Sequence, residues 1–174
     1  MSIQRVTNRD KLFKNCFKFD GVNVRPPNLW NVDAQLVCTD AKRLVKTAEV
    51  KINYIATILV IEWTYYDLSS EEFEALYDAY IVNKPEVVSE SGKKQKTIFH
   101  TITTLSSTHA NKIIDNYKIY TQNDFKAPPA HLRFVDGKMQ YFYDEVKFTF
   151  TGVGNFDWDE LKDAPIDKSA LANI

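Results

Sequence analysis

The chain has 174 residues, of which 44% are hydrophobic and 26% charged, and a formal net charge of −1. That length supports one domain, with or without extended ends, and a core that needs no disulfide or metal staples. The near-neutral balance argues against a partner held by phosphate electrostatics, because such domains are clearly basic.

Aromatic residues make up 13% of the chain and sit in runs with Ile, Val and Thr, which favours strands. Two cysteines, Cys16 and Cys38, make neither a disulfide framework nor a metal site. Each lies in a strand-like segment and reads as a small buried hydrophobe in a reducing compartment. Met1 to Leu12 is polar and charged, so no signal peptide is expected. The apolar run Ile55 to Trp63 is too short to span a bilayer as a helix, and a soluble protein is expected.

In chain order, residues 1–12 read as an N-terminal arm. Phe17 to Phe19 and Val22 to Val24 flank Asp20-Gly21, a strong hairpin signal because the tight turn needs positive φ at both positions. Arg25-Pro-Pro27 then ends the strand. From Trp30 to Cys38 the residues alternate, with Trp30, Val32, Ala34, Leu36 and Cys38 on one face, which predicts a half-buried antiparallel strand. Asp40 to Thr47 is a charged connection. Val50 to Tyr66 is the longest predicted strand, and its apolar middle, Ile58 to Ile61, predicts burial on both faces.

Ser69 or Ser70 caps the next helix, and Ser69 with Glu72 matches a capping box. Phe73, Leu76, Tyr77 and Tyr80 form one apolar stripe at helical spacing, expected to pack on a sheet. Val82 to Lys96 reads as a polar loop reaching toward a neighbour. Lys96 to Leu105 and Ile113 to Tyr120 read as paired strands. His131 to Val135 and Lys138 to Thr151 flank Asp136-Gly137, a second hairpin signal. From 153 to 174 the chain turns acidic and irregular and reads as a C-terminal arm. The fold class expected for 13–152 is α+β, mainly β: an antiparallel β-sandwich or partly closed barrel with one flanking helix.

The residues offer little chemistry. No glycine-rich phosphate loop is present, and His100, His109 and His131 lack ligand partners at metal-binding spacing. Glu71, Glu72, Glu74 and Asp78 read as a solvated helix face. Asp157, Asp159 and Glu160 lack the oxygen spacing of a calcium loop. No catalytic, cofactor-binding or metal-binding residue is assigned, and no enzyme is expected. Lys93 and Lys94, with Lys96, form a basic knot that suits a solubilising loop better than a nucleic-acid contact. Phe156, Trp158 and Leu161 are apolar residues in an acidic tail. They either fold back on the body or dock on a neighbour as aromatic anchors, with docking preferred. These five, Phe156, Trp158, Leu161, Lys93 and Lys94, are the candidate assembly contacts. On this reading, removing residues 154–174 leaves the fold intact and impairs assembly.

The order of features carries a resemblance. Asp20-Gly-Val-Asn-Val-Arg-Pro-Pro27 precedes an alternating strand and a charged connection containing Arg43. A long strand ending Glu62-Trp-Thr-Tyr65 then runs into Leu68-Ser-Ser-Glu-Glu72, and a strand pair leads to the final Asp-Gly hairpin and Gly152. Over residues 16–152 this order resembles small tail structural proteins of tailed bacteriophages, of the tail-tube and baseplate-hub type. The resemblance implies a virion protein, made in the host bacterial cytoplasm, that assembles into rings, expected to be hexameric. Its implied partners are copies of itself and neighbouring tail or neck proteins, with no membrane and with nucleic acid at most passing through the ring. The alternative is a β-rich protein- or ligand-binding module without catalytic activity.

Overall fold

The computed structural model describes residues 10–38, 42–43, 50–78, 86–88, 94–96, 99–121, 128–167 and 169. Both Asp-Gly pairs make the turns their chemistry dictates. Asp20 and Gly21 have φ of 49° and 79°, joining β1 (Lys18–Phe19) to β2 (Val22–Asn23); Asp136 and Gly137 have φ of 50° and 76°, joining β11 (Ala130–Val135) to β12 (Lys138–Gly152). Positive φ at both positions matches the right-handed twist of the flanking strands.

Among the described residues, nine strands form one antiparallel sheet that is not closed into a barrel. Its spine runs β2, β1, β9 (His100–Leu105), β10 (Lys112–Thr121), β12, β6 (Tyr54–Ser69) and β3 (Leu29–Cys38). β11 adds to β12, and β13 (Lys162–Asp163) adds to β10. Two short ribbons stand outside it: β4 (Lys42–Arg43) with β5 (Val50–Lys51), and β7 (Glu86–Val88) with β8 (Lys94–Lys96). The segment read as a polar loop from Val82 to Lys96 thus contains a strand pair. Much of the charged connection before Val50, and Tyr80 of the predicted stripe, lie outside the described residues.

The sheet curls so that distant strands meet across one core. Trp63 on β6 donates its indole N–H to Thr104 Oγ1 on β9 at 3.0 Å, although β10 and β12 lie between those strands in the sheet. The Val32 amide of β3 donates to Ser107 Oγ, in the β9–β10 turn, at 2.8 Å. Aromatic edges fill the space: Phe17 meets Trp30 at 5.2 Å and Trp63 at 5.7 Å, and Trp63 meets Phe150 at 5.1 Å. Such edge-on packing adds to the burial each ring contributes.

α1 (Ser70–Tyr77) begins where β6 ends. Ser69 is the N-cap: its Oγ accepts the Glu72 amide, while the Glu72 carboxylate accepts the Ser69 amide. Phe73 is buried between Tyr77 and Tyr143, at 5.6 and 4.1 Å, which fixes the stripe against the sheet.

Three expectations change. First, β3 shows the predicted parity only at its start, where Val32 is buried and Trp30 half-buried; Ala34, Leu36 and Cys38 are exposed. The last β12 partner on β6 is Val60, opposite Thr151, so β3 and β6 continue past it as a two-stranded ribbon with no sheet neighbour on the β6 side among the described residues. Cys38 is therefore an exposed thiol, and Cys16, buried in a turn, has its pKa pushed up to about 11 by that burial. Second, Ile58 and Val60 are half-buried, because the curled sheet has one core and an open outer face. Third, the chain after Gly152 continues the fold over its described length. The Phe156 amide donates to the Thr57 carbonyl at 2.7 Å, β13 pairs with β10, and the Asp167 amide donates to the Leu12 carbonyl at 3.0 Å.

Candidate assembly surfaces

Phe156, Trp158 and Leu161 come together, but on their own chain. Phe156 is 4% exposed, with its ring edge-on to Tyr117 at 5.5 Å and to Trp158 at 5.2 Å. Trp158 and Leu161 are half-buried against the same core, and Trp158 lies 5.3 Å from the His109 ring. The tail thus takes the fold-back alternative, and Phe156 has almost no surface left for a neighbour. Lys93 lies outside the described residues, and Lys94 opens β8.

The apolar surfaces that do face solvent lie elsewhere. One is the β11–β12 hairpin. Only Phe142 and later residues of β12 pair with β6, so residues 138–141 and most of β11 project beyond the sheet. Leu132 stands opposite Tyr141, and Phe134 opposite Met139, so the four share a face. All four are exposed, Phe134 by 72%. Tyr143 begins this face where α1 covers it; beyond Tyr143 the face is bare.

The other hairpin face is ionic and fixes how the hairpin sits. Arg133 binds Asp67 at 2.5 Å and lies 3.9 Å from Asp144, and His131 contacts Asp144 at 2.5 Å. The Arg133 guanidinium also stacks 5.0 Å over the Phe142 ring. Two carboxylates at the hairpin root would repel each other; the Arg133 guanidinium between them binds the hairpin to β6.

The second surface is the β3–β6 ribbon. Leu36 is 69% exposed and shares a face with Tyr54; Val37 is exposed on the opposite face, Ile55 is exposed at the register shift between them, and Val50 and Ile52 adjoin. Its root is held by the tail: Asn155 Oδ1 accepts the Thr57 amide at 2.9 Å and the Tyr54 hydroxyl at 3.1 Å. Leu36, Ile55, Leu132 and Phe134 were visible in the sequence as alternating apolar residues. The signal for burial was present; what ends each sheet neighbour was not.

Two polar features are structural in geometry. His100 is buried, with Nδ1 2.6 Å from Asp20 Oδ2 and Nε2 without a hydrogen-bond partner among the described residues. Asp20 also accepts the Thr101 amide at 3.0 Å, so the pair fastens the first hairpin to β9. A cleft of about 380 Å³ lies between that hairpin and α1, lined by Phe19, Val22, Val24 and Leu76. Arg25 and Glu72, paired at 2.7 Å, also line it. Among the described residues no group of three or more His, Cys, Asp or Glu side chains could hold a metal ion. No helix among them is long and apolar enough to cross a membrane. A scan against protein-family models and a search of curated proteins return no match.

Proposed function

We propose that this chain is a structural subunit of a bacteriophage tail, a tail-tube, adaptor or baseplate protein that assembles into rings without catalysing a reaction. The observation that carries the reading is the pair of projecting β-ribbons, each bearing large apolar side chains in water. A contiguous exposed apolar patch marks an interaction surface. The feature order from Asp20 to Gly152 supports the same reading by resemblance. Near-zero net charge lets copies approach without mutual repulsion. Negative-stain images of the purified chain test it: rings or short tubes are expected, and a field of single 20.1 kDa particles at every concentration would count against it.

A second reading, a β-rich binding module, draws on the cleft beside α1, whose size and apolar walls suit a small ligand or peptide side chain. Saturable binding by a monomer that never assembles would favour it.

A further inference from the structure

The two bare ribbons lie at opposite ends of the molecule. β6 and β12 are antiparallel, with Phe142 opposite Ser69 and Thr151 opposite Val60. The β11–β12 hairpin therefore projects past the Ser69 end of β6, and the β3–β6 ribbon projects past the Val60 end. β6 has 16 residues, so the patches are separated by a strand roughly 50 Å long.

That placement decides what kind of contact can cover both. A two-fold contact pairing hairpin with hairpin leaves every Leu36 and Ile55 in water; one pairing ribbon with ribbon leaves every Phe134. Contact between the hairpin of one copy and the ribbon of the next covers both patches at each internal junction. The four hairpin side chains are each more than half exposed, and a contiguous apolar patch of that kind marks an interaction site. Laid on the ribbon, counted over both partners, it covers an area on the order of the roughly 1,000 Å² at which a specific interface begins. The junction is heterologous, so repetition gives a ring if the rotation closes and a filament if it does not.

We propose that the apolar face of the β11–β12 hairpin docks on the β3–β6 ribbon of a second copy of this chain, head to tail. This contact rests on the reading of the chain as a self-assembling subunit and names the surfaces that make it. The ionic face of the hairpin sets the angle at which Leu132 and Phe134 are presented. The tail residue Asn155 steadies the ribbon that receives them.

Complementation between two variants tests the contact. Phe134→Glu disables the hairpin, and Ile55→Glu disables the ribbon; both sites are exposed, and unchanged circular dichroism checks the fold. Sedimentation should give monomer for each variant alone and a 1:1 dimer when they are mixed, because one intact hairpin then meets one intact ribbon. Leu132→Glu with Leu36→Glu repeats the test should either first variant misfold. If the wild-type chain forms multimers that survive either substitution, or if the mixture stays monomeric, the head-to-tail contact is overturned while self-assembly stands. If the wild-type chain is monomeric at all concentrations, the contact and the self-assembling reading fall together.

Discussion

Gly152 shows how one residue can set the packing of two strands. It ends β12 with the Tyr117 ring laid against it, and a β-carbon there would overlap that ring and its hydroxyl. The Tyr117 hydroxyl accepts the Leu59 amide at 3.1 Å, so moving the ring also uncovers a buried donor. Gly152→Ala is expected to cost about 1–3 kcal/mol, as overpacking does, measured as a lower denaturant midpoint. An unchanged midpoint would mean the ring has room to move. The two cysteines make a second residue-scale case. Sequence pattern made both small buried hydrophobes, and the structure separates them. Cys38 should react with a thiol reagent in the folded, dilute protein, whereas Cys16 should react only on unfolding. Two equally slow thiols would contradict this placement.

At the scale of elements, the tail holds the body together. Phe156 fills the core beside Tyr117, and β13 brings Lys162 to within 3.2 Å of Asp115. Removing residues 154–174 should therefore cost at least about 3 kcal/mol, the least expected for a buried phenylalanine. Thermal unfolding at an unchanged temperature would restore the reading of this segment as an independent arm. Asp115 adds a pH signature. Burial pushes its carboxyl up, but hydrogen bonds from Lys162 and Thr103, with the Lys162 charge, outweigh burial and hold it below its usual value. Its contribution to stability is therefore present above the ordinary carboxylate range and lost as pH falls through the lowered value. Asp115→Asn should flatten that part of the acid-unfolding curve; an unchanged acid limb would remove the role.

Local chemistry made several elements legible. Asp20-Gly21, Asp136-Gly137 and the Ser69/Glu72 box each state their own geometry within four residues, and the structure has all three. β6 was legible from its β-branched and aromatic density. What could not be read is where one strand outlives its neighbours. The apolar alternation of β3 continues to Cys38, but its sheet cover ends where β12 stops pairing at Val60. Phe156 posed the same difficulty in reverse: its composition resembles a docking anchor, and only the position of Thr57 and Tyr117 in space makes it core.

The whole molecule is a curled sheet with a closed interior and two unfinished ends. The core has its aromatic contacts internally, while the hairpin and the ribbon leave large apolar side chains exposed. This division suits a repeating subunit, whose stability is its own and whose remaining apolar area is covered only on assembly. Arg133→Ala belongs to this scale: its exposed ion pairs contribute little to folding, about 1 kcal/mol or less, yet they hold the hairpin in position. The substitution should leave the unfolding midpoint nearly unchanged and weaken self-association. Equal assembly in the variant and the parent would show that the hairpin needs no such support.

We expect this chain to assemble with copies of itself. Native mass spectrometry of the purified protein over a range of concentrations tests it most directly. One dominant closed multiple of the 20.1 kDa chain is expected, growing at the expense of monomer as concentration rises. Monomer alone across the whole range would contradict it.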